Sequence, residues 1–316
     1  MKITQIETFL VNAAPPQEGG WAARNWLFVK VHTDEGVYGV GEASGWPRVV
    51  QTAIEDLTCL LVGEDPTHIE RLWQKMMGSI MGHGMTGVVG FGAMTGIEMA
   101  LWDLKGKALG VPVWNLLGGK MRDKIRVYAH AHDAERAREL VDRGYTAIKT
   151  GGIRNCVESV EAIRKDVGSD IDLMVDVHGP PWMTTRDAIA LGRRLEDYDL
   201  FFYEDPVAPE NIDAIARVSE ALDMPIAAGE RHAGIWGVKE LIEREIIDVV
   251  QPDTGRAGGL RQMQKIAAMA EAHYITMAPH DGSLGPIAEM AAVHLMASIP
   301  NFLILEHLED DVPQRY

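Results

Sequence analysis

LMVDVH (residues 173–178), FFYEDP (201–206) and PIAAGE (225–230) are three short apolar runs, each ending in a carboxylate. Runs rich in Val, Ile, Phe and Tyr and bounded by Gly or Pro read as buried strands of a parallel sheet. Asp176, Glu204 and Glu230 then stand at the C-terminal tips of consecutive strands. The intervals between them leave room for one strand and one returning helix. The same beat continues on either side, with Lys149 ending TAIK, Asp253 ending DVVQPD, His280 ending YITMAPH and Glu306 ending FLILE. In a (β/α) barrel the C-terminal strand ends converge on one mouth, so these seven residues are expected to share a cavity.

Counting outward from that stretch, KIRVYAH (124–130) supplies a first strand and the chain alternates to an eighth. Helices are expected over 133–143, 155–167, 184–198, 210–222, 235–245, 259–273 and 286–298. The fold class is α/β, a modified (β/α) TIM-type barrel, because acids at successive strand ends imply a closed ring rather than a doubly wound sheet. An α+β capping domain is expected over residues 1–121 and the barrel over 122–316. In the cap, MKITQIETFLV alternates as a strand, and LFVKVHTDEGVYGVGEA reads as a hairpin around Asp34, Glu35 and Gly36. Two amphipathic helices follow. PPQEGGWAARNW, with Trp21, Arg24 and Trp26, and the glycine-rich SIMGHGMTGVVGFG, with His83, are expected to be irregular; the first is a lid or a plain surface connection.

The 316 residues are 47% hydrophobic, enough for a substantial core, and carry a formal net charge of −16. That charge repels polyanions, which argues against nucleic acid or a membrane surface as partner. An anionic substrate must therefore be attracted by a local positive centre. Two cysteines, Cys59 and Cys156, are too few for a disulfide framework. With no signal peptide and no long apolar span legible, a cytoplasmic protein is expected.

Three carboxylates held together raise one another's pKa unless a cation compensates. Oxygen ligands suit a hard ion, and the absence of Cys or paired His ligands disfavours zinc, so Asp176, Glu204 and Glu230 are the candidate magnesium ligands. The bland alternative is that such acids cap the following helices. Magnesium can chelate a substrate carboxylate and a neighbouring hydroxyl and stabilise the enediolate left when the α-proton departs. The base is expected to be His280, oriented by Asp253 one strand away; the competing reading is a buried structural histidine. His178, two residues beyond Asp176, could protonate a leaving hydroxyl, and a fourth metal ligand or a donor to the metal acids are its other readings. Lys149 is a candidate contact to the substrate carboxylate or the metal acids, and as readily a structural residue. Asp205, Arg231, His232 and Arg256 sit beside the mouth without an assigned role.

Glu98, the run Ala100-Leu101-Trp102-Asp103, Gly106-Lys107, Gly110, Pro112 and Leu116 to Gly119 resemble the enolase superfamily, specifically its mandelate racemase branch. The resemblance implies metal acids at the ends of these three strands, a His–Asp dyad at His280 and Asp253, and an electrophilic role for Glu306 toward the substrate carboxylate. Burial of Glu306 beside other acids is expected to raise its pKa. It implies a small-molecule carboxylate partner and a homo-oligomeric assembly. Many racemases of this branch carry a second lysine where this chain has Gly151, so one of the two bases a racemase needs is missing. The Asp176-Val177-His178 pattern, Ala278-Pro279-His280 and Leu284-Gly285-Pro286-Ile287 are similar to the acid-sugar dehydratases, galactonate dehydratase above all, where the histidine matching His178 is the general acid. Gly179-Pro180-Pro181-Trp182 and Asp281-Gly282-Ser283 depart from that pattern. The expected activity is thus a magnesium-dependent dehydration of an aldonic acid such as galactonate to a 2-keto-3-deoxy acid. The alternatives are a racemase or epimerase and a non-catalytic binding barrel. Members of the resembled family continue through a C-terminal segment that packs on the cap, and a shorter C-terminus is expected here.

Overall fold

A computed structural model describes residues 1–14, 24–82, 87–179 and 181–309. Trp21, the side chain of Arg24, His83, Pro180 and the terminal run DDVPQRY lie outside the described residues.

Strands β1 (Ile3–Ala14), β2 (Arg24–Thr33) and β3 (Tyr38–Ala43) form an antiparallel sheet in that order, with Gly36 at φ 78° in the β2–β3 turn. Leu27, Val29 and Val31 alternate onto one face and are fully buried against α1 (Pro47–Leu61), α2 (Ile69–Met81) and α3 (Val88–Leu109). The glycine-rich stretch is more regular than its composition suggests. Residues 79–81 finish α2, and Gly90 and Gly92 lie inside α3. The reason is close packing: a Cβ at Gly39 would fall 1.9 Å from the Ala100 carbonyl oxygen, and one at Gly92 would fall 2.2 Å from that of Ser44. Glycine here lets helix and sheet backbones touch, which offsets its helix cost of about 1 kcal/mol per residue. Gly110, left-handed at φ 67°, ends α3, and α4 (Val113–Leu116) leads to the barrel.

The barrel then alternates β4 (Val127–His130), α5 (Ala134–Asp142), β5 (Ala147–Gly151), α6 (Cys156–Val167), β6 (Asp172–Asp176), α7 (Thr185–Leu195), β7 (Phe202–Glu204), α8 (Ile212–Ala221), β8 (Ile226–Ala228), α9 (Gly234–Glu243), β9 (Val249–Val250), α10 (Leu260–Ala272), β10 (Thr276–Met277), α11 (Pro286–Met296) and β11 (Leu305–Glu306). Asp133, Thr184 and Asn211 cap α5, α7 and α8 by accepting backbone N–H bonds with their side chains. The parallel strands pair in the order β10-β9-β8-β7-β6-β5-β4-β11. Met277 closes the ring, donating to Asn301 and accepting from Leu303, both at 2.9 Å, just before β11. One residue from each strand or its edge fills the interior: Tyr128, Ala147, Met174, Phe202, Ala227, Val249, Ala278 and Ile304. Their outward neighbours, such as Ile148, Val175, Tyr203 and Val250, pack under the helices. The barrel is therefore a plugged core, and polar side chains gather above the plug.

Two buried glutamates tie the cap to the barrel. Glu42, in β3, accepts from the backbone N–H groups of Gly285 and Ala288 at the start of α11. Glu98, in α3, accepts from Leu260 and Arg261 at the start of α10, at 2.8 and 3.0 Å, and from the Trp102 indole at 2.7 Å. Each supplies acceptor oxygens where a helix N-terminus presents unpaired donors. The acidic residue and tryptophan of the α3 motif thus serve this join.

Candidate active site

The strand ends bring the seven expected residues into one contact network. Asp176 and Glu204 end β6 and β7 and are register partners; Glu306 ends β11. Lys149 lies within β5, which continues to Gly151, and points inward beside its register partner His130. Its ammonium, 2% exposed, is 3.0 and 3.2 Å from the two Glu204 oxygens, 2.9 Å from Glu306 Oε1 and 3.5 Å from Asp176 Oδ2. Burial disfavours that charge, yet Glu204 and Glu306 hold the Lys149 pKa well above its ordinary value. Lys149 therefore contacts the candidate metal acids directly.

His280 is the second hub. Its Nδ1 meets Asp253 Oδ2 at 2.7 Å, and its Nε2 lies 3.2 Å from Glu230 Oε2 and 3.7 Å from Glu306 Oε2. Asp253 is fixed in turn by Ser44 Oγ at 3.2 Å, the Gly255 N–H at 2.9 Å and Arg256 at 3.2 Å. Burial lowers the imidazole's pKa, but Glu230, Glu306 and Asp253 outweigh it and raise it to about 10. A Cβ at Gly282 would sit 2.9 Å from His280 Nε2, so only glycine leaves that nitrogen room.

Glu306 joins the two hubs. Its charge is held by Lys149, His280 and His130, which against the effect of burial lower its pKa well below the carboxylate range. The expectation that neighbouring acids would raise it is corrected by those donors: Oε1 takes His130 Nε2 at 2.6 Å and Lys149, and Oε2 takes the Asp281 N–H at 2.8 Å. His178 lies beyond the end of β6 and turns back on Asp176, with Nδ1 2.7 Å and its backbone N–H 3.1 Å from Asp176 Oδ1. That hydrogen bond raises the His178 pKa. Arg231 pairs with Asp205 and, at 3.0 Å, with Glu230 Oε1, and stands 5.2 Å over the Trp182 ring. Asp205, left-handed at φ 44°, is pushed up to about 7 by burial and by Glu230.

Among the described residues, no three His, Cys, Asp or Glu side chains stand in a ready coordinating arrangement. Instead Lys149 pairs with Glu204, and Arg231 and Arg256 pair with Glu230. The donor set nevertheless fits a hard cation. Glu204 is pushed well above its ordinary pKa by burial and then by Asp176, with Glu306 and Glu230 adding to it, so these acids feel one another's charge. Glu230 Oε2 is buried and accepts no well-directed hydrogen bond, despite its distance from His280. A buried carboxylate oxygen without a hydrogen bond, on a residue whose charge raises the Glu204 pKa, is what a divalent ion would satisfy.

Sequence reasoning passed over His130, Tyr128 and Ser44. The first two were legible in principle, since KIRVYAH ends at the same lip as the other strands; Ser44 reaches Asp253 from the cap, across 209 residues of chain.

Residues 132–316 match the family described as enolase C-terminal domain-like, and residues 6–118 match the mandelate racemase / muconate lactonizing enzyme N-terminal domain. The D-xylonate dehydratase of Haloferax volcanii is 36% identical, over 97% of this chain and 78% of that protein. The D-galactonate dehydratase of Ralstonia pickettii is 37% identical, over 93% and 78%. Among solved structures, the 3,6-anhydro-D-galactonate cycloisomerase from Zobellia galactanivorans superposes with a TM-score of 0.92 at 33% identity, covering 100% of this chain and 89% of that one.

Proposed function

The chain belongs to the mandelate racemase / muconate lactonizing enzyme family of the enolase superfamily, and on that premise we propose that it dehydrates an acid sugar to a 2-keto-3-deoxy acid. The relatives named as galactonate and xylonate dehydratases support an aldonate as the substrate class. The observation that carries the reading is the Glu306 link between the Lys149 and His280 hubs, which puts base, candidate metal acids and a cation at one mouth.

Asp176, Glu204 and Glu230 would hold magnesium, which when bound supplies Lewis acidity toward the substrate carboxylate, an effect worth several kcal/mol of barrier. The remaining work falls to protein side chains. Asp253 accepts the Nδ1–H of His280, leaving Nε2 to take the α-proton; the C–H electron pair becomes that of the enediolate. Glu230 is the largest influence raising the His280 pKa, so positive charge beside Glu230 returns the imidazole toward the range of a base. Lys149 offers positive charge to the enediolate. His178, kept protonated by Asp176, gives its proton to the β-hydroxyl as the C–O bond breaks, and water leaves. The enol then tautomerises to the keto acid. Inversion needs a second base on the opposite face, and Gly151 cannot become one without backbone movement: a Cβ there would lie 2.7 Å from the Asp176 carbonyl oxygen.

The test is purified protein with magnesium and a panel of aldonates, with 2-keto-3-deoxy product detected colorimetrically. Product from at least one acid is expected. Exchange and inversion of the α-centre without loss of water would replace the reading with a racemase, and ligand binding without turnover would replace it with a binding barrel.

A further inference from the structure

His130 is a mouth residue that the reaction above leaves unused. It ends β4, its ring is 29% exposed, and it stacks at 6.0 Å on Tyr128, whose ring belongs to the barrel plug. Its Nε2 is 2.6 Å from Glu306 Oε1, an oxygen that Lys149 also holds at 2.9 Å. An ionised carboxylate can only accept, so the ring's Nε2 must carry the hydrogen. Burial lowers the His130 pKa even against the pull of Glu306, which favours the ring with a single proton. The other nitrogen, Nδ1, then bears a lone pair, and it has no hydrogen-bond partner among the described residues. Beside the carboxylates of the mouth there is thus a neutral acceptor whose orientation a buried glutamate fixes.

We propose that His130 is a specificity residue: with Nε2–H donated to Glu306, its Nδ1 accepts a hydrogen bond from a hydroxyl of the bound acid sugar. This rests on the acid-sugar reading. It gives Glu306 a second task, as the group that sets the tautomer of a substrate-reading imidazole. A ligand lacking that hydroxyl leaves Nδ1 desolvated and unmatched, which is how a polar site rejects a deoxy analogue.

The test is a cycle between protein and substrate. With magnesium present, kcat/KM is measured for wild type, His130→Phe and His130→Gln on the preferred aldonate and on its monodeoxy analogues beyond the β-carbon. For one analogue, wild type should discriminate against the missing hydroxyl by roughly tenfold, the scale of one neutral hydrogen bond. His130→Phe should bring that discrimination close to unity, and His130→Gln, which keeps a donor and an acceptor, should restore part of it. Equal discrimination by all three proteins against every analogue would overturn the inference and leave His130 a support for Glu306. Failure of wild type to turn over any acid sugar would instead sink the functional reading, and this inference with it.

Discussion

The Lys149 ammonium and the Glu204 carboxylate form a buried ion pair at 3.0 Å, with side chains 2% and 1% exposed. Removing one partner of such a pair leaves an uncompensated charge, which typically costs about 3–5 kcal/mol. Lys149→Met should lose on this scale in chelator, because Glu204, Glu306 and Asp176 are then left to repel one another. Magnesium should recover part of the loss by covering two of those acids. Denaturant unfolding of wild type and variant, each in chelator and in saturating magnesium, checks this. A loss that is the same in both conditions would contradict the shared site.

The two histidines are assigned to different steps, so their variants should fail differently. His280→Asn should abolish exchange of the α-hydrogen with solvent deuterium as well as dehydration. His178→Asn should permit exchange while reducing product formation by about 100-fold or more, the scale of general acid catalysis. Magnetic resonance of the substrate pool in deuterium oxide reads both. The reverse pattern would exchange the two assignments.

Glu98 predicts a pH dependence of stability at the join between cap and barrel. Burial raises its pKa to about 7 from an ordinary 4.5, against the hydrogen bonds from Arg261, Trp102 and Leu260 that favour its charge. The folded state thus binds its proton more tightly than the unfolded chain. Its contribution is fully present below pH 4.5 and is lost as pH rises through 7, by on the order of 3 kcal/mol. Glu98→Gln should flatten that part of the profile. Unfolding free energies of both proteins at pH 5.5 and 8.0 measure the difference, and parallel profiles would contradict the account.

Much of this was legible in the sequence because a parallel barrel writes its geometry as rhythm. Buried strands such as LMVD and FFYE are continuous apolar runs, and the acid that ends each run marks the lip. Contacts made across that rhythm were not legible. The pairing of Glu306 with His130 joins the first and last barrel strands, and that of Asp253 with Ser44 joins barrel to cap; neither sequence distance nor residue type announces them. The pKa of Glu306 came out opposite to expectation for the same reason, since its donors arrive from three other strand ends or loops. Gly92 reads as loop because its close contact with the Ser44 backbone, just past β3, has no local signature, and Gly90 packs on the Ile80 side chain of α2.

The central claim is that cation-assisted removal of an α-proton by His280 begins an irreversible loss of water. Its most direct test is the rate of keto-acid formation from an acid sugar carrying deuterium at the α-carbon, compared with the protio acid, in magnesium and after chelation. The account predicts product in magnesium, a primary isotope effect on its formation in single turnover, and no product once the metal is removed. Product formed at an undiminished rate in chelator, or without any isotope effect in single turnover, would contradict it.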